Sequence, residues 1–244
     1  MKVLLLSGTR EARRLAAWLE EESIPAIASF AGVTRSPELP RIETRLGGFG
    51  GEDAFRDYLH AEAITHILDA THPFAARMSH RSARVAVQIG IPYRQLLRPA
   101  WRPEVGDTWV SLKQEEDAAQ HIKAGSRVFL ATGRQTLDRF GALQDSYLIC
   151  RQIDPPSGPF PFSNGEYLIG RPPFSVDDEE ALFRKLRIDW LVVKNAGGEM
   201  SATKLVAARR LGLPVAMIAR PPQPEGEKLQ TVKEAQTWLR SQKE

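Results

Sequence analysis

The sequence has little of what several common protein classes require. One cysteine, Cys150, in 244 residues excludes an internal disulfide and predicts a reducing compartment, the cytoplasm. The five histidines have no metal-ligand spacing, so we expect no metal site. No apolar run approaches the roughly 20 residues of a membrane helix, and we expect no membrane partner. A net charge of +3 is too small to indicate nucleic-acid binding.

Several catalytic motifs are also missing. The chain contains no G-x-S-x-G elbow for a nucleophilic serine and no G-x-x-x-x-G-K-[ST] loop for phosphoryl transfer. The first strand ends in a turn with one glycine, Gly8, and so lacks the full G-x-G-x-x-G dinucleotide fingerprint. Backbone amides at the start of the next helix can still hold a phosphate, although Glu11 there would repel one placed directly beside it.

What the chain does contain is short apolar runs that alternate with amphipathic stretches, a pattern typical of βα units and parallel sheets. The predicted strands are 3–7, 26–30, 64–68, 91–96, 109–112, 127–131, 147–151, 190–194 and 215–219. The predicted helices include 77–88, 115–124, 135–143 and 177–186, and a last helix that opens at Thr231. The fold class we expect is α/β, with two Rossmann-like three-layer domains, mostly parallel sheets, that face each other across a cleft. We place the first domain at residues 1–100 and the second at 101–244.

The segment after the second strand bears on cofactor choice. NAD-binding folds place an acidic residue about 20 residues past the glycine turn, where it holds the ribose hydroxyl. This chain has Arg35 in that segment and no acid before Glu38. If a dinucleotide binds, the pattern favours NADPH.

A glycine-rich loop, residues 47–51, places Phe49 between pairs of glycines. Glycine allows the backbone to approach a ligand closely or to adopt positive φ. A loop that needs only flexibility has little reason to carry a lone aromatic, so we favour ligand contact by Gly48, Phe49, Gly50 and Gly51. The alternative is a flexible connection to the next helix.

The stretch from Ile64 to Ala75 begins as a buried strand and then presents Asp69, Thr71 and His72 before Pro73 ends regular pairing. The carboxyl ends of strands in an open α/β sheet are where such folds bind ligands. The alternative is that Asp69 or Thr71 caps the following helix. His72 has the best position for a proton donor, but a structural hydrogen bond is an equally good interpretation.

Cations recur at the predicted strand ends of the second half of the chain. Arginine binds carboxylates bidentately, so a substrate with several acid groups would suit these positions. For each cation the alternative is a solvated surface charge. The residues are Arg134, Arg171, Lys194, Lys204 and Arg220.

Together these segments resemble one family over nearly the whole chain and in its order. They are Gly8-Thr9-Arg10-Glu11-Ala12, Ala31-Gly32, residues 47–51, residues 69–75, Arg98-Pro99 with Trp101, Thr132-Gly133-Arg134, Lys194-Asn195 with Gly197-Gly198 and Lys204, and Arg220-Pro221. The set resembles the precorrin-6A reductase family. The resemblance implies an NADPH-dependent reductase of cobalamin biosynthesis, which reduces one double bond of precorrin-6A, or of its cobalt form, to give precorrin-6B.

The residue types in the two halves suggest that the domains divide the site between them. The first domain would bind NADPH through Gly8, Thr9, Arg10, Ala31, Gly32, Arg35, Gly48, Phe49, Gly50, Gly51, Asp69, Thr71, His72 and Pro73. The second would bind the tetrapyrrole through Arg134, Arg171, Lys194, Asn195, Gly197, Gly198, Lys204 and Arg220. For Lys194 the alternative is that it holds a phosphate of the cofactor. Two other classes remain open: a glycosyltransferase-like two-domain enzyme that uses a nucleotide-sugar, and a non-catalytic binder of nucleotide or tetrapyrrole.

Overall fold

The strands of this protein form two six-stranded parallel sheets. In the computed structural model, which describes residues 1–31 and 40–242, each sheet belongs to its own unit. Unit 1 comprises Met1–Pro99 and Pro221–Glu244, and unit 2 comprises Ala100–Arg220. The predicted fold class of two parallel α/β domains is confirmed.

Unit 1 has the strand order β12-β5-β4-β1-β2-β3. Its strands are β1 (Val3–Leu6), β2 (Ala26–Phe30), β3 (Glu43–Leu46), β4 (His66–Asp69), β5 (Tyr93–Leu96) and β12 (Lys228–Leu229). Its helices are α1 (Arg10–Glu21), α2 (Glu52–Ala61), α3 (Ala76–Ile89) and α6 (Val232–Ser241).

Unit 2 has the strand order β6-β11-β10-β7-β8-β9. Its strands are β6 (Trp109–Leu112), β7 (Arg127–Ala131), β8 (Tyr147–Gln152), β9 (Gly165–Ile169), β10 (Trp190–Lys194) and β11 (Val215–Ile218). Its α-helices are α4 (Val176–Leu186) and α5 (Thr203–Leu211), and its 3₁₀ helices are Glu115–Gln120, Arg134–Leu143 and Glu199–Ser201.

Helices cover both faces of the first sheet, which explains why β1 is an unbroken apolar run rather than an alternating one. Leu5 packs in a cluster with α1 and α6, whereas its neighbours Leu4 and Leu6 pack in a second cluster with α2 and α3. Successive side chains of a strand point to opposite faces, so each face needs its own apolar residues.

In each sheet the order in which successive strands are added reverses at one strand. From β1 the chain builds β2 and β3 on one side and then returns to build β4 and β5 on the other. In unit 2, β7 has the corresponding place between β8 and β10. Ligands of open α/β sheets bind outside the carboxyl ends of the strands at such a switch point. The loops that follow β1, β4, β7 and β10 are therefore the candidate ligand-binding loops.

The predicted domain division needs a correction at the C-terminus. Residues 221–244 were assigned to the second domain, but they complete unit 1. Leu229 pairs with Leu96 of β5, and α6 packs beside α1 in the same core cluster. An edge pairing between residues far apart in the chain leaves no local signal, so the sequence alone could not reveal it.

Three strands and two helices also differ from the sequence pattern. The structure adds β3, β9 and β12, which are half-exposed or very short and therefore lack a continuous apolar run. The predicted α-helices at 115–124 and 135–143 are 3₁₀ helices, and the second has non-helical backbone at Thr136 and Phe140. Apolar spacing alone does not separate short 3₁₀ turns from α-helix.

Candidate functional site

The switch point of unit 1 is held by Thr9. Its hydroxyl donates to the carbonyl oxygen of Ala70 at 2.7 Å and accepts from the N–H of Ala12 at 3.2 Å. Thr9 thus caps α1 and also links the loop after β1 to the loop after β4. Gly8 beside it is exposed at φ +155°, and a Cβ there would meet no atom within 4 Å. The backbone at this turn is therefore open to a ligand.

The N-terminus of α1 can receive an anion. No acceptor within the described ranges takes the backbone N–H groups of Thr9, Arg10 or Glu11. The carboxylate of Glu11, which the sequence suggested would repel a phosphate, lies 2.8 Å from Nη1 of Arg98. Because this ion pair offsets the charge of Glu11, the free amides and the helix dipole are left to favour an anion.

Asp69 lies at the end of β4 and is fully buried. Its Oδ1 accepts from the N–H and the hydroxyl of Thr71 at 3.0 and 2.7 Å, and its Oδ2 accepts from the hydroxyl of Tyr93 at 2.8 Å. Burial and the charge of Asp69 raise the pKa of Tyr93. The alternative that Asp69 or Thr71 caps α3 is wrong, because Ala75 is the N-cap without a side-chain hydrogen bond. Asp69 instead shapes the loop that carries His72.

His72 and Pro73 follow in the same loop. The Nδ1 of His72 accepts from the N–H of Phe74 at 3.3 Å, so a neutral His72 carries its proton on Nε2. The carbonyl oxygen of the buried Pro73 accepts from Nε2 of Gln223 at 2.9 Å. The same amide also donates to the carbonyl oxygen of Pro221 at 2.8 Å. The sequence pattern did not indicate Gln223, which supports this loop from the C-terminal segment.

At the ends of β2 and β3, part of the prediction lies outside the described residues. Ala31 is exposed, while Gly32 and Arg35 belong to the segment that the structure does not describe. Gly48 is exposed and a Cβ there would meet nothing within 4 Å, whereas Gly50 and Gly51 have φ of +82° and +139°. The last two glycines are needed for the backbone turn into α2.

Phe49 lies in the core. Its side chain is 6% exposed and packs edge-on against Phe55, with ring centroids 4.5 Å apart. The aromatic ring therefore anchors the glycine loop, and its contact with a ligand stays a prediction. A residue that the sequence pattern did not indicate, Arg45 on β3, holds the loop from the other side. It donates to the hydroxyl oxygen of Ser29 at 3.2 Å and to the carbonyl oxygens of Gly47 and Gly48 at 2.9 and 3.0 Å.

In unit 2, Arg134 begins the 3₁₀ helix after β7, directly behind Gly133 at φ +72°. Its half-buried side chain makes no hydrogen bond or ion pair within the described part of the chain. Arg134 is thus a cation at the switch point whose N–H donors have no acceptor in the described part of the chain.

Lys194 at the end of β10 is already engaged. Its Nζ donates to the hydroxyl oxygen of Thr136 at 3.0 Å and lies 3.4 Å from a carboxylate oxygen of Glu115, which is 4% exposed. Arg139 contacts the other oxygen of Glu115 at 2.7 Å. Burial lowers the pKa of Lys194, and the charge of Glu115 partly opposes that shift. This network connects β10 to the 3₁₀ helices Glu115–Gln120 and Arg134–Leu143.

Asn195 is a clamp on the backbone of Trp101. Its Oδ1 accepts from the Trp101 N–H at 2.9 Å and its Nδ2 donates to the Trp101 carbonyl oxygen at 3.0 Å. The indole N–H of Trp101 donates to the carbonyl oxygen of Gly198 at 3.0 Å, and Nε of Arg220 donates to the carbonyl oxygen of Asn195 at 2.7 Å. Gly197 and Gly198 have positive φ of +68° and +86°. These residues build the loop after β10.

Lys204 and Arg171 occupy different places. Lys204, on the first turn of α5, donates to the carbonyl oxygen of Ser201, and its pKa is lowered to about 8 by burial and by the charge of Arg151. Arg171 is exposed on the loop after the outer strand β9, 4.0 Å from Asp154. The structure therefore brings Arg134 and Lys194 to the β7–β10 switch point, while Arg171 is at the margin of the sheet.

No group of three or more His, Cys, Asp or Glu residues in the described part of the chain could hold a metal ion. Within the same residues, no helix combines the length and apolar character needed to cross a membrane.

The pattern of these strand-end loops agrees with comparisons to known proteins. The family model described as precorrin-6x reductase CbiJ/CobK matches residues 2–240. The chain belongs to the precorrin-6x reductase family. Reduction of precorrin-6A in cobalamin biosynthesis is the activity of this family, and membership makes the chain an oxidoreductase rather than a glycosyltransferase.

Individual relatives of the precorrin-6x reductase family show how near the match is. A precorrin-6A reductase of Rhodococcus erythropolis is 44% identical, with 98% of this chain and 97% of the relative covered. One from Rhodobacter capsulatus is 40% identical over 98% and 95%. A cobalt-precorrin-6A reductase of Priestia megaterium is 28% identical over 90% of each. A solved structure named CobK precorrin-6A reductase is 39% identical with a TM-score of 0.94, covering 99% of this chain and 96% of the other.

Proposed function

We propose that the protein reduces a double bond of metal-free precorrin-6A with NADPH, and that unit 1 binds the cofactor while unit 2 binds the macrocycle. The observation that carries the cofactor part is the β1–β4 switch point. There an open glycine, Gly8, precedes a helix whose first amides have no acceptor among the described residues. Such amides suit the pyrophosphate of a dinucleotide.

The residues of unit 1 fit this cofactor in two further respects. Glu11, the acid nearest the proposed pyrophosphate, is neutralised by Arg98. The loops after β1 and β4 are fixed by the Thr9 bridge and by the buried Asp69, so the site is preorganised. NADPH supplies a hydride when bound. The protein holds it against the acceptor carbon and excludes water.

A proton must also reach the atom next to the one that takes the hydride, and we propose His72 as its source. His72 follows β4 at the switch point, and its Nδ1 is fixed by the Phe74 N–H. Nε2 is then the nitrogen that can deliver a proton. Loss of turnover in His72→Gln at unchanged NADPH affinity supports this role, and normal turnover contradicts it.

For the macrocycle we propose contacts from unit 2. A precorrin carries acetate and propionate arms, so its site needs cations with free donors. Arg134 has them at the β7–β10 switch point. Lys204 is a second candidate, since Glu179, the carboxylate whose charge raises its pKa, is already bound by Arg151 at 2.7 and 2.8 Å. Asn195 contributes through the loop after β10, which it holds at Trp101, and Lys194 contributes through Thr136 on the 3₁₀ helix that carries Arg134.

The identities favour the metal-free substrate. Relatives named precorrin-6A reductase are 40% to 44% identical to this chain, whereas those named cobalt-precorrin-6A reductase are 27% or 28% identical.

The test is loss of absorbance at the nicotinamide band when protein, NADPH and precorrin-6A are mixed. We expect oxidation of NADPH that depends on precorrin-6A, slower oxidation of NADH, and slower turnover of the cobalt-loaded macrocycle. Binding of NADPH without oxidation would instead indicate a non-catalytic binder. Preferential turnover of the cobalt form would contradict the substrate assignment and leave the reductase assignment intact.

A further inference from the structure

Arg45 lies where β2 and β3 end, and part of its guanidinium has no partner. The group has five N–H donors. Nη1 uses both of its donors, on Ser29 and on Gly47, and Nη2 uses one on Gly48. Nε–H and the second donor of Nη2 therefore have no acceptor within residues 1–31 and 40–242.

The plane of that guanidinium is fixed by aromatic stacking. The Cζ of Arg45 lies 3.9 Å from the ring centroid of Phe49 and 5.0 Å from that of Tyr58. Phe49 is itself locked in the core by Phe55. A stacked arginine with three donors bound to the protein cannot swing away, so its two remaining donors point in a fixed direction.

A second arginine lies beside Arg45. Arg81 on α3 lies over the same ring, with Cζ 5.5 Å from the Phe49 centroid. Burial and the charge of Arg45 lower the pKa of Arg81, and its buried Nε has no hydrogen-bond partner. Neither arginine lies within 4.0 Å of a carboxylate in the described part of the chain. Two neighbouring cations without an acid are costly unless an anion joins them.

We propose that Arg45 is the specificity-determining residue that binds the 2′-phosphate of the adenosine ribose of NADPH. In a Rossmann sheet this ribose lies past the second strand, and an arginine there accommodates the phosphate of NADP. Arg45 spans the ends of the second and third strands through its bond to Ser29, and it has two adjacent donors for a bidentate contact. The inference rests on the proposed NADPH dependence and names the residue behind it.

The experiment is isothermal titration of Arg45→Met and Arg45→Lys with four probes: NADPH, NADH, 2′,5′-ADP and ADP. Methionine keeps the packing on Phe49 and removes the charge. Lysine keeps the charge and removes the two adjacent donors of the guanidinium. The matched control is Arg56→Ala, which removes an arginine of α2 that pairs with Asp53. Arg35→Ala is measured in parallel, because Arg35 is the sequence-based candidate for the same phosphate.

We expect Arg45→Met to weaken NADPH and 2′,5′-ADP at least tenfold and to leave NADH and ADP within twofold. Arg45→Lys should lose less affinity for NADPH and 2′,5′-ADP than Arg45→Met does. Arg56→Ala should leave all four affinities unchanged. Equal weakening of all four probes would show that Arg45 only holds the glycine loop, and would overturn the inference. A phosphate-specific loss confined to Arg35→Ala would overturn it as well.

The proposed function fails in a different way. A wild-type protein that binds NADH as tightly as NADPH overturns the phosphate assignment and leaves a reductase. A wild-type protein that binds neither dinucleotide overturns the proposed function together with this inference. If Arg45→Met does not fold, the ratio of NADPH to NADH affinity in Arg45→Lys decides, since an unchanged ratio contradicts bidentate binding.

Discussion

Lys204 predicts an unusual dependence of stability on pH. Its ammonium is largely buried, and Glu179, whose charge favours the protonated form, is bound on both oxygens by Arg151. The pKa of Lys204 falls from 10.5 to about 8 because burial and the Arg151 charge disfavour the protonated form more than Glu179 favours it. A fall of this size corresponds to about 3 kcal/mol of unfavourable charge burial in the folded state.

The sign follows from which state holds the proton. Below pH 8 both the folded and the unfolded chain are protonated at Lys204, so the folded state carries the whole cost. Between pH 8 and 10.5 the folded chain releases this proton while the unfolded chain keeps it. The free energy of unfolding therefore rises with pH in this window, by about 3 kcal/mol in total from this residue.

The perturbation is Lys204→Met, which removes the charge and keeps the chain length. At pH 7 we expect a more stable protein by about 2 kcal/mol, since the lost hydrogen bond to Ser201 costs about 1 kcal/mol of the gain. For a chain of this length that is a rise in Tm of roughly 4 to 8 °C. The Michaelis constant for precorrin-6A should rise as well, because removing a buried functional cation exchanges activity for stability.

The assay is differential scanning calorimetry of wild type and Lys204→Met between pH 7 and 10, which resolves the transitions of the two units if they differ. Lys185→Met, an exposed lysine on α4, is the matched control. The Tm difference between wild type and Lys204→Met should shrink as pH rises, while the control stays parallel to wild type. A Tm difference between wild type and Lys204→Met that stays constant from pH 7 to pH 10 would refute the reasoning.

Three further predictions concern the site. Gly48→Ala should weaken NADPH binding and leave the Tm within about 2 °C of the wild-type value, since a Cβ at this position meets no atom within 4 Å of the protein. An unchanged affinity for NADPH would mean that the ligand does not approach the backbone at Gly48. Arg134→Ala should raise the Michaelis constant for the macrocycle about tenfold or more, the value of a charged hydrogen bond in a closed site, and leave the NADPH dissociation constant unchanged by titration calorimetry. Lys194→Met should raise the same Michaelis constant and lower the free energy of unfolding by about 2 kcal/mol, because the buried Glu115 then keeps Arg139 as its remaining ion-pair partner among the described residues. Adding Glu115→Gln should recover part of the lost stability. A Tm of Lys194→Met equal to that of the wild type would contradict this account.

The fold class and the location of the candidate site could both be predicted from local sequence patterns. Buried parallel strands must be apolar on both faces, so β1, β7 and β10 are visible as short apolar runs. The polar residues that interrupt each run then mark the carboxyl edge of a sheet. This is why Thr9, Asp69 and Arg134 could be singled out without a structure.

Only the tertiary structure decided what each of those side chains does. Asp69 and Lys194 look like ligand residues in the sequence, yet their partners Tyr93 and Glu115 come from other elements and engage them. The burial of Phe49 in the core and the three hydrogen bonds of Arg45 to Ser29, Gly47 and Gly48 were not visible in the sequence. Hydrogen bonds and burial depend on neighbours distant in the chain, and a local pattern carries no record of them. The same reason hid β12, whose pairing with β5 joins the C-terminus to the first unit.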